Sequence, residues 1–93
     1  MSVVIIGGNE RMESQYKEIC KQHACRAKVF TKMASNLRDQ IGSPDLIILF
    51  TSTVSHKMVH CAVTEANRNQ IRIERSHSSS ANALKSILKG HCA

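Results

Sequence analysis

The chain has 93 residues, of which 42% are hydrophobic and 3% aromatic, and its formal net charge is +6. This length fits one small domain with an aliphatic core. The scarcity of aromatic side chains disfavours single-strand nucleic-acid binding, because such proteins stack bases on aromatic rings. The 13 basic residues are scattered along the chain and match no helix-turn-helix or zinc-finger spacing. Nucleic acid is therefore not expected to be the main partner.

The cysteines and the apolar segments indicate a compartment. No signal peptide and no long apolar segment is recognisable, so we expect a cytoplasmic protein without a membrane span. In a reducing compartment the four cysteines are expected to be thiols, and the lack of a CxxC pair disfavours a redox centre or a zinc ribbon. We expect Cys20 and Cys61 to face the core and Cys25 and Cys92 to be exposed.

The first half of the chain predicts two strands, each followed by a helix. The run SVVIIGG is continuously aliphatic and ends in two glycines, which predicts a buried strand and a tight turn. RMESQYKEICKQHA has apolar residues at helical spacing. RAKVFT is less apolar and predicts a strand at a sheet edge, and ASNLRDQI predicts a short helix with Ser35 as its N-cap.

The second half repeats this alternation. A break at residues 42–45 precedes the buried strand LIILF. Residues 56–69 predict a helix, and residues 70–74 predict an edge strand because isoleucines alternate with charged residues. ANALKSILKG predicts the last helix, with serines at its start and Gly90 as its stop. The inward face of the helix 56–69 is expected to carry Val59, Ala62, Val63 and Ala66.

Four strand–helix repeats predict a single α/β domain with an all-parallel sheet and right-handed crossovers. The two most apolar strands, the first and the third, are expected at the centre. The predicted strand order is therefore 2-1-3-4, with helices on both faces, as in a minimal flavodoxin-like or Rossmann-like domain.

Chemically versatile residues follow three of these strands. Ligands of open α/β sheets bind at the carboxyl ends of the strands, where the strand order reverses. Here that edge receives the glycine turn, the hydroxyl-rich stretch 51–56 and the segment 75–80. We therefore expect metal ligands among His56, His77 and His60, and cofactor contacts from Gly7, Gly8, Asn9, Ser52, Ser55, Arg75 and Ser78.

Most enzyme classes lack their motifs in this chain. GGNERM stands where a dinucleotide site needs GxGxxG. There is no GxxxxGK[ST] phosphate loop, and no pair of carboxylates falls at the expected site edge. A binding protein is therefore expected rather than an enzyme.

His56 has two interpretations. In the first, Ser55 caps a helix and His56 points to solvent in its first turn. In the second, His56 is a ligand, since a helix N-terminus disfavours a positive imidazolium and favours the neutral ring that binds metal or haem iron. His60, one helical turn later, or His77 or a cysteine would then be the second ligand. A domain this small cannot enclose a porphyrin alone, so a haem-binding homodimer is expected.

Two alternatives remain open. Serines and threonines before helix N-termini favour anions, and the basic composition favours acidic partners. The second hypothesis is therefore a phosphate or nucleotide sensor that binds its anion through Gly7, Gly8, Ser52, Ser55, Ser78 and Arg75. The third is an interaction domain whose loops only cap helices.

The segments VVIIGG, Ser55-His56 and Arg75 to Ser80, in this order and spacing, make almost the whole chain resemble domain-of-unknown-function family 2325. The resemblance implies a small Rossmann-like domain of the bacterial cytoplasm, with Ser55-His56 at the position characteristic of the family. It implies no established activity.

Overall fold

In a computed structural model, residues 1–91 are described, and they form one sheet flanked by helices. A short 3-10 turn, Glu10–Met12, leads into α1. The strands and helices alternate along the chain as β1 Ser2–Ile6, α1 Glu13–Gln22, β2 Arg26–Phe30, α2 Leu37–Ile41, β3 Leu46–Phe50, α3 His56–Asn69, β4 Arg72–Ser76 and α4 Ala81–His91.

The sheet has the order β2-β1-β3-β4 and all its pairings are parallel, which confirms the predicted α/β fold and strand order. All five residues of β3 are buried, as are four of the five in β1. The outer strands β2 and β4 mix charged with apolar residues. Apolar runs need cover on both faces and therefore occupy the centre, which is why composition alone ordered these strands correctly.

The core consists of two layers, one on each face of the sheet. One layer packs residues of α1 and α4, including Tyr16 and Leu84, against Ile48 and Phe50 of β3. The other packs residues of α2 and α3 against the opposite face of β1 and β3. Among the described residues, no helix combines the length and the apolar content that a membrane crossing requires.

Some element boundaries differ from those expected. Asn36, rather than Ser35, occupies the N-cap position of α2, and its side chain makes no capping bond to the backbone. β4 begins and ends two residues later than predicted. Gly90 lies within α4, which continues to His91, because α4 packs on the sheet and this contact outweighs the low helix propensity of glycine.

The buried face of α3 also differs from the prediction. Ala62 and Ala66 are buried as expected, but Met58 and Glu65 complete the face, while Val59 and Val63 are only half-buried. A carboxylate is an unexpected core residue, and it needs compensating partners.

Glu65 finds those partners on two helices. Its Oε1 lies 3.4 Å from Nε of Arg38 in α2 and 3.8 Å from a guanidinium nitrogen of Arg68 in its own helix. Asn69 donates a hydrogen bond to Oε2 at 3.3 Å. Oε1 makes ion pairs but no well-aligned hydrogen bond, so its desolvation is compensated mainly by the arginines.

Replacing Arg38 with alanine is expected to lower the free energy of unfolding by about 1–2 kcal/mol, because it leaves a buried carboxylate with a weaker partner set. Urea unfolding followed by circular dichroism measures the change. The matched control is Lys17→Ala, which breaks the exposed Lys17–Glu13 pair and should cost at most ~0.5 kcal/mol. Equal losses in the two variants would contradict the structural role of the Glu65 network.

Candidate functional site

The glycine turn after β1 packs closely against the loop after β3 and against Tyr16. Both glycines have positive φ, +97° for Gly7 and +89° for Gly8. A Cβ on Gly7 would lie 2.5 Å from Cγ1 of Val54 and 2.9 Å from the carbonyl oxygen of Phe50. A Cβ on Gly8 would lie 2.7 Å from the ring of Tyr16. The missing side chains therefore make room for the chain's own residues.

The amides of this turn have partners within the chain. The N–H of Gly8 donates to Oγ1 of Thr53 at 2.6 Å, and that of Asn9 donates to the hydroxyl of Tyr16 at 3.3 Å. The N–H of Gly7 donates to the carbonyl of Phe30 at 2.9 Å. The turn thus presents fewer donors to an incoming anion than its sequence suggested.

The stretch after β3 caps α3 as expected. Oγ of Ser55 accepts a hydrogen bond from the N–H of Met58 at 3.3 Å, which confirms Ser55 as the N-cap. Thr53 holds the loop to the sheet by donating to the carbonyl of Phe50 at 3.1 Å. Ser52 and His56 are exposed, so this loop places His56 at the surface of the carboxyl edge.

The stretch after β4 is tied together by its serines. Oγ of Ser76 donates to the carbonyl of Ser78 at 2.7 Å, and Oγ of Ser78 donates to Oγ of Ser80 at 3.1 Å. Oγ of Ser80 in turn accepts from the N–H of Ala83 at 3.1 Å, which caps α4. Tyr16 joins this loop to the glycine turn, because its hydroxyl donates to the carbonyl of Ser79 at 2.6 Å.

The five histidines fall into two groups. His56, His60 and His77 are exposed, and within residues 1–91 no hydrogen bond or ion pair is found for their rings. Because His23 and His91 lie at helix or chain ends, the sequence predicts solvated rings for both, and this prediction is wrong. Nδ1 of His23 lies 2.9 Å from the carbonyl of Ile19, and Nε2 of His91 lies 3.0 Å from Oε1 of Glu74. The three candidate ligands are therefore the imidazoles whose nitrogens remain available.

Arg75 lies on the face of the sheet that carries α3. It lines a groove of about 300 Å³ between α3 and β4, together with Val63, Ala66, Asn67, Ile71 and Ile73. Sequence reasoning did not find this groove. The helical spacing could have indicated it, because residues 56, 60, 63 and 67 share one stripe of a helix. The histidine pair of α3 thus continues the stripe that borders the groove.

A larger cavity, of about 400 Å³, lies at the opposite, amino edge of the sheet. It is lined by residues such as Val4, Arg26, Lys28 and Ile41. None of the predicted site residues borders it. It forms because α2 has only five residues and leaves this corner of the sheet without a cover.

The cysteines do not add ligands to the carboxyl edge. Cys20 is buried as expected and Cys61 is half-buried against the α2/α3 layer. Cys25, expected to be exposed, is buried, and its Sγ lies 3.3 Å from the carbonyl of His23. Cys92 lies outside the described residues. Among residues 1–91, no group of three or more histidine, cysteine or acidic side chains is placed to hold a metal ion.

Comparison with known proteins gives a family and nothing more specific. The chain matches, over residues 2–91, the model of a family described as uncharacterized protein conserved in bacteria (DUF2325). No curated protein and no solved structure shows a match. The match spans nearly the whole chain, and the protein therefore belongs to this bacterial family of Rossmann-like domains.

Proposed function

We propose that the protein is a non-enzymatic module of the bacterial cytoplasm that binds haem through His56 and works as a homodimer. The observation that carries the proposal is the availability of three exposed imidazoles, His56, His60 and His77, at or near the carboxyl edge, while the other two histidines are bonded to protein groups. Imidazole is the commonest axial ligand of haem iron, and such axial ligands serve electron transfer or gas sensing.

The donor set fits haem better than a bare metal ion. Structural zinc requires four protein ligands, and residues 1–91 hold no cluster of even three. Haem iron takes its four equatorial nitrogens from the porphyrin and needs one or two ligands from protein. A single imidazole such as that of His56 is then sufficient, and a second one completes the coordination.

The groove between α3 and β4 has aliphatic as well as polar residues in its lining and would seat the ring. Val63, Ile71 and Ile73 are half-buried along it, and half-exposed aliphatic groups favour contact with a flat apolar ring. Arg75 lines the same groove, where its guanidinium would pair with a propionate. Along α3, His60 precedes Val63 by three residues and His56 lies one helical turn before His60.

The second axial ligand must come from outside the α3 helix that supplies the first one. Two axial ligands approach iron from opposite faces of the porphyrin, whereas residues four apart on a helix lie on the same side. His56 and His60 of one chain therefore serve as alternatives for one face. His77 or a histidine from a second chain supplies the other, which is the reason to include a homodimer in the proposal.

A phosphate or nucleotide ligand is the second candidate. It is favoured by the hydroxyl groups of Ser52 and Ser78 beside the N-termini of α3 and α4 and by the basic composition. It is disfavoured by the turn amides of Gly8 and Asn9, which are already bonded to Thr53 and Tyr16. A third candidate, an interaction domain without a small ligand, predicts no response to either class.

Hemin titration separates these candidates. The proposal predicts a shifted Soret band that saturates with hemin, and His56→Ala should weaken hemin binding roughly tenfold or more, the usual scale for loss of a metal ligand or its support. His23→Ala is the matched control, because His23 is bonded to its own helix, and it should bind hemin like the unaltered protein. A parallel His77→Ala variant tests whether His77 is the second ligand, and His60→Ala tests whether His60 takes the place of His56.

A nucleotide panel read by thermal shift runs beside the titration, because a ligand that binds only the native state raises the melting temperature. A rise with nucleotides and no Soret shift with hemin would replace the haem proposal by the anion candidate. If the protein responded neither to hemin nor to any nucleotide, only the third candidate, an interaction domain, would remain.

A further inference from the structure

The outer edge of β4 is an unpaired strand edge. Within the sheet β4 pairs only with β3, and the carbonyl of Ser76 accepts from the N–H of Thr51, so the backbone groups of Ser76 face β3. Backbone groups alternate in direction along a strand, so those of Ile73 and Arg75 face outward. Such an edge is a template for another strand.

Charge selects one antiparallel register for two copies of this edge. In a two-fold antiparallel pair, residues whose positions sum to a constant lie opposite each other. If the two-fold axis passes between the two copies of Ile73, Arg72 of each chain lies opposite Glu74 of the other. A centre one residue later sets Glu74 against Glu74, and one residue earlier sets Arg72 against Arg72. Only the first of these registers pairs opposite charges.

The same register also satisfies the backbone. Because the N–H and C=O of Ile73 face outward, the central pair is one that exchanges both hydrogen bonds. Arg72 and Glu74 then fall in the closer, non-hydrogen-bonded pairs, where side chains interact most strongly across strands. The two isoleucines meet on the face that carries α3.

The opposite edge of the sheet lacks this self-complementarity. The charged residues of β2 are Arg26 and Lys28, both basic and both exposed. A two-fold pairing about Lys28 would set lysine against lysine, and like charges directly opposite destabilise a strand pair. Lysine on an edge strand is also a common device against association.

The groove between α3 and β4, whose lining is partly aliphatic and partly polar, borders the same edge. Val63, Ile71 and Ile73 are half-buried there, and a second β4 beside the first would join the two grooves across the axis. The edge therefore combines free backbone groups, complementary charge and apolar surface.

We propose that two copies of this chain pair through β4 in antiparallel orientation, with Ile73 opposite Ile73 and Arg72 opposite Glu74, to form a continuous eight-stranded sheet. The inference names the surface of the homodimer proposed above and rests on that dimer, but not on haem. It brings the two histidine stripes of α3 to the same side of one sheet.

Charge reversal tests the surface and the register together. Sedimentation without hemin should give a dimer for the unaltered chain, and R72E or E74R should each weaken dimerisation roughly tenfold, since each places like charges in two symmetric pairs. An equimolar mixture of R72E and E74R should regain the dimer, because one chain then carries two acids and the other two bases. K28E on β2 is the matched control and should leave the dimer unchanged.

Three results would overturn the inference. A monomer at all concentrations for the unaltered chain removes the dimer itself. A dimer that survives both single reversals places the interface elsewhere, which leaves the proposed homodimer standing. Failure of the folded R72E and E74R chains to associate on mixing removes this register. Because sedimentation is read without hemin, none of these outcomes bears on whether His56 binds haem.

Discussion

Replacing Gly7 with alanine is expected to lower the free energy of unfolding by roughly 3 kcal/mol, a large part of the stability of so small a domain. The backbone of Gly7 has φ of +97°, where a side chain is strained, and its Cβ would lie 2.5 Å from Val54 and 2.9 Å from the carbonyl oxygen of Phe50. The carbonyl belongs to the central strand β3 and cannot move away. Relief would have to come from the β3–α3 loop, which leads directly into His56 at the start of α3.

Urea unfolding followed by far-ultraviolet circular dichroism measures this loss. Gly90→Ala is the matched control, because nothing lies near its would-be Cβ and alanine is favoured over glycine in a helix by ~1 kcal/mol. The control should be neutral or slightly stabilised. A Gly7→Ala chain as stable as the unaltered protein would contradict the close approach of the two loops.

Truncating Tyr16 to alanine is expected to cost about 4 kcal/mol, because it empties a fully buried site in the α1/α4 layer. The ring packs against that of Phe50, with centroids 5.3 Å apart. Its hydroxyl donates to the carbonyl of Ser79 and accepts from the N–H of Asn9. Tyr16 therefore supports two of the three loops at the carboxyl edge from below.

Tyr16→Phe separates the hydroxyl from the ring. It keeps the packing and removes only the hydrogen bonds, so the expected loss is about 1–2 kcal/mol. The same urea experiment compares the two variants. If phenylalanine were as costly as alanine, the hydroxyl rather than the ring would hold α1 in place, and if both were neutral the packing described for Tyr16 would be wrong.

The fold could be predicted from the sequence because it follows from composition at the scale of whole elements. A strand such as LIILF needs cover on both faces, while RAKVF and the strand with Ile73 alternate with charge, so centre and edges were assigned correctly. The caps Ser55 and Ser80 were also predictable, because the side chain and the amide it accepts from are only three residues apart.

The remaining features depend on contacts between distant residues. Glu65 is buried because Arg38 reaches it from another helix, and His91 is bonded because Glu74 lies beside the end of α4. The hydrophobic periodicity of a single segment predicts neither of these contacts. For the same reason the glycine turn suggested an open anion cradle, whereas Thr53 and Tyr16, both far along the chain, take its amides.

The Soret band after hemin addition tests the central claim most directly, namely that His56 is an axial ligand. The account predicts a saturating Soret shift for the unaltered protein and for His23→Ala, and a shift largely lost in a folded His56→Ala chain. An unchanged shift in His56→Ala, or none in the unaltered protein, would contradict it.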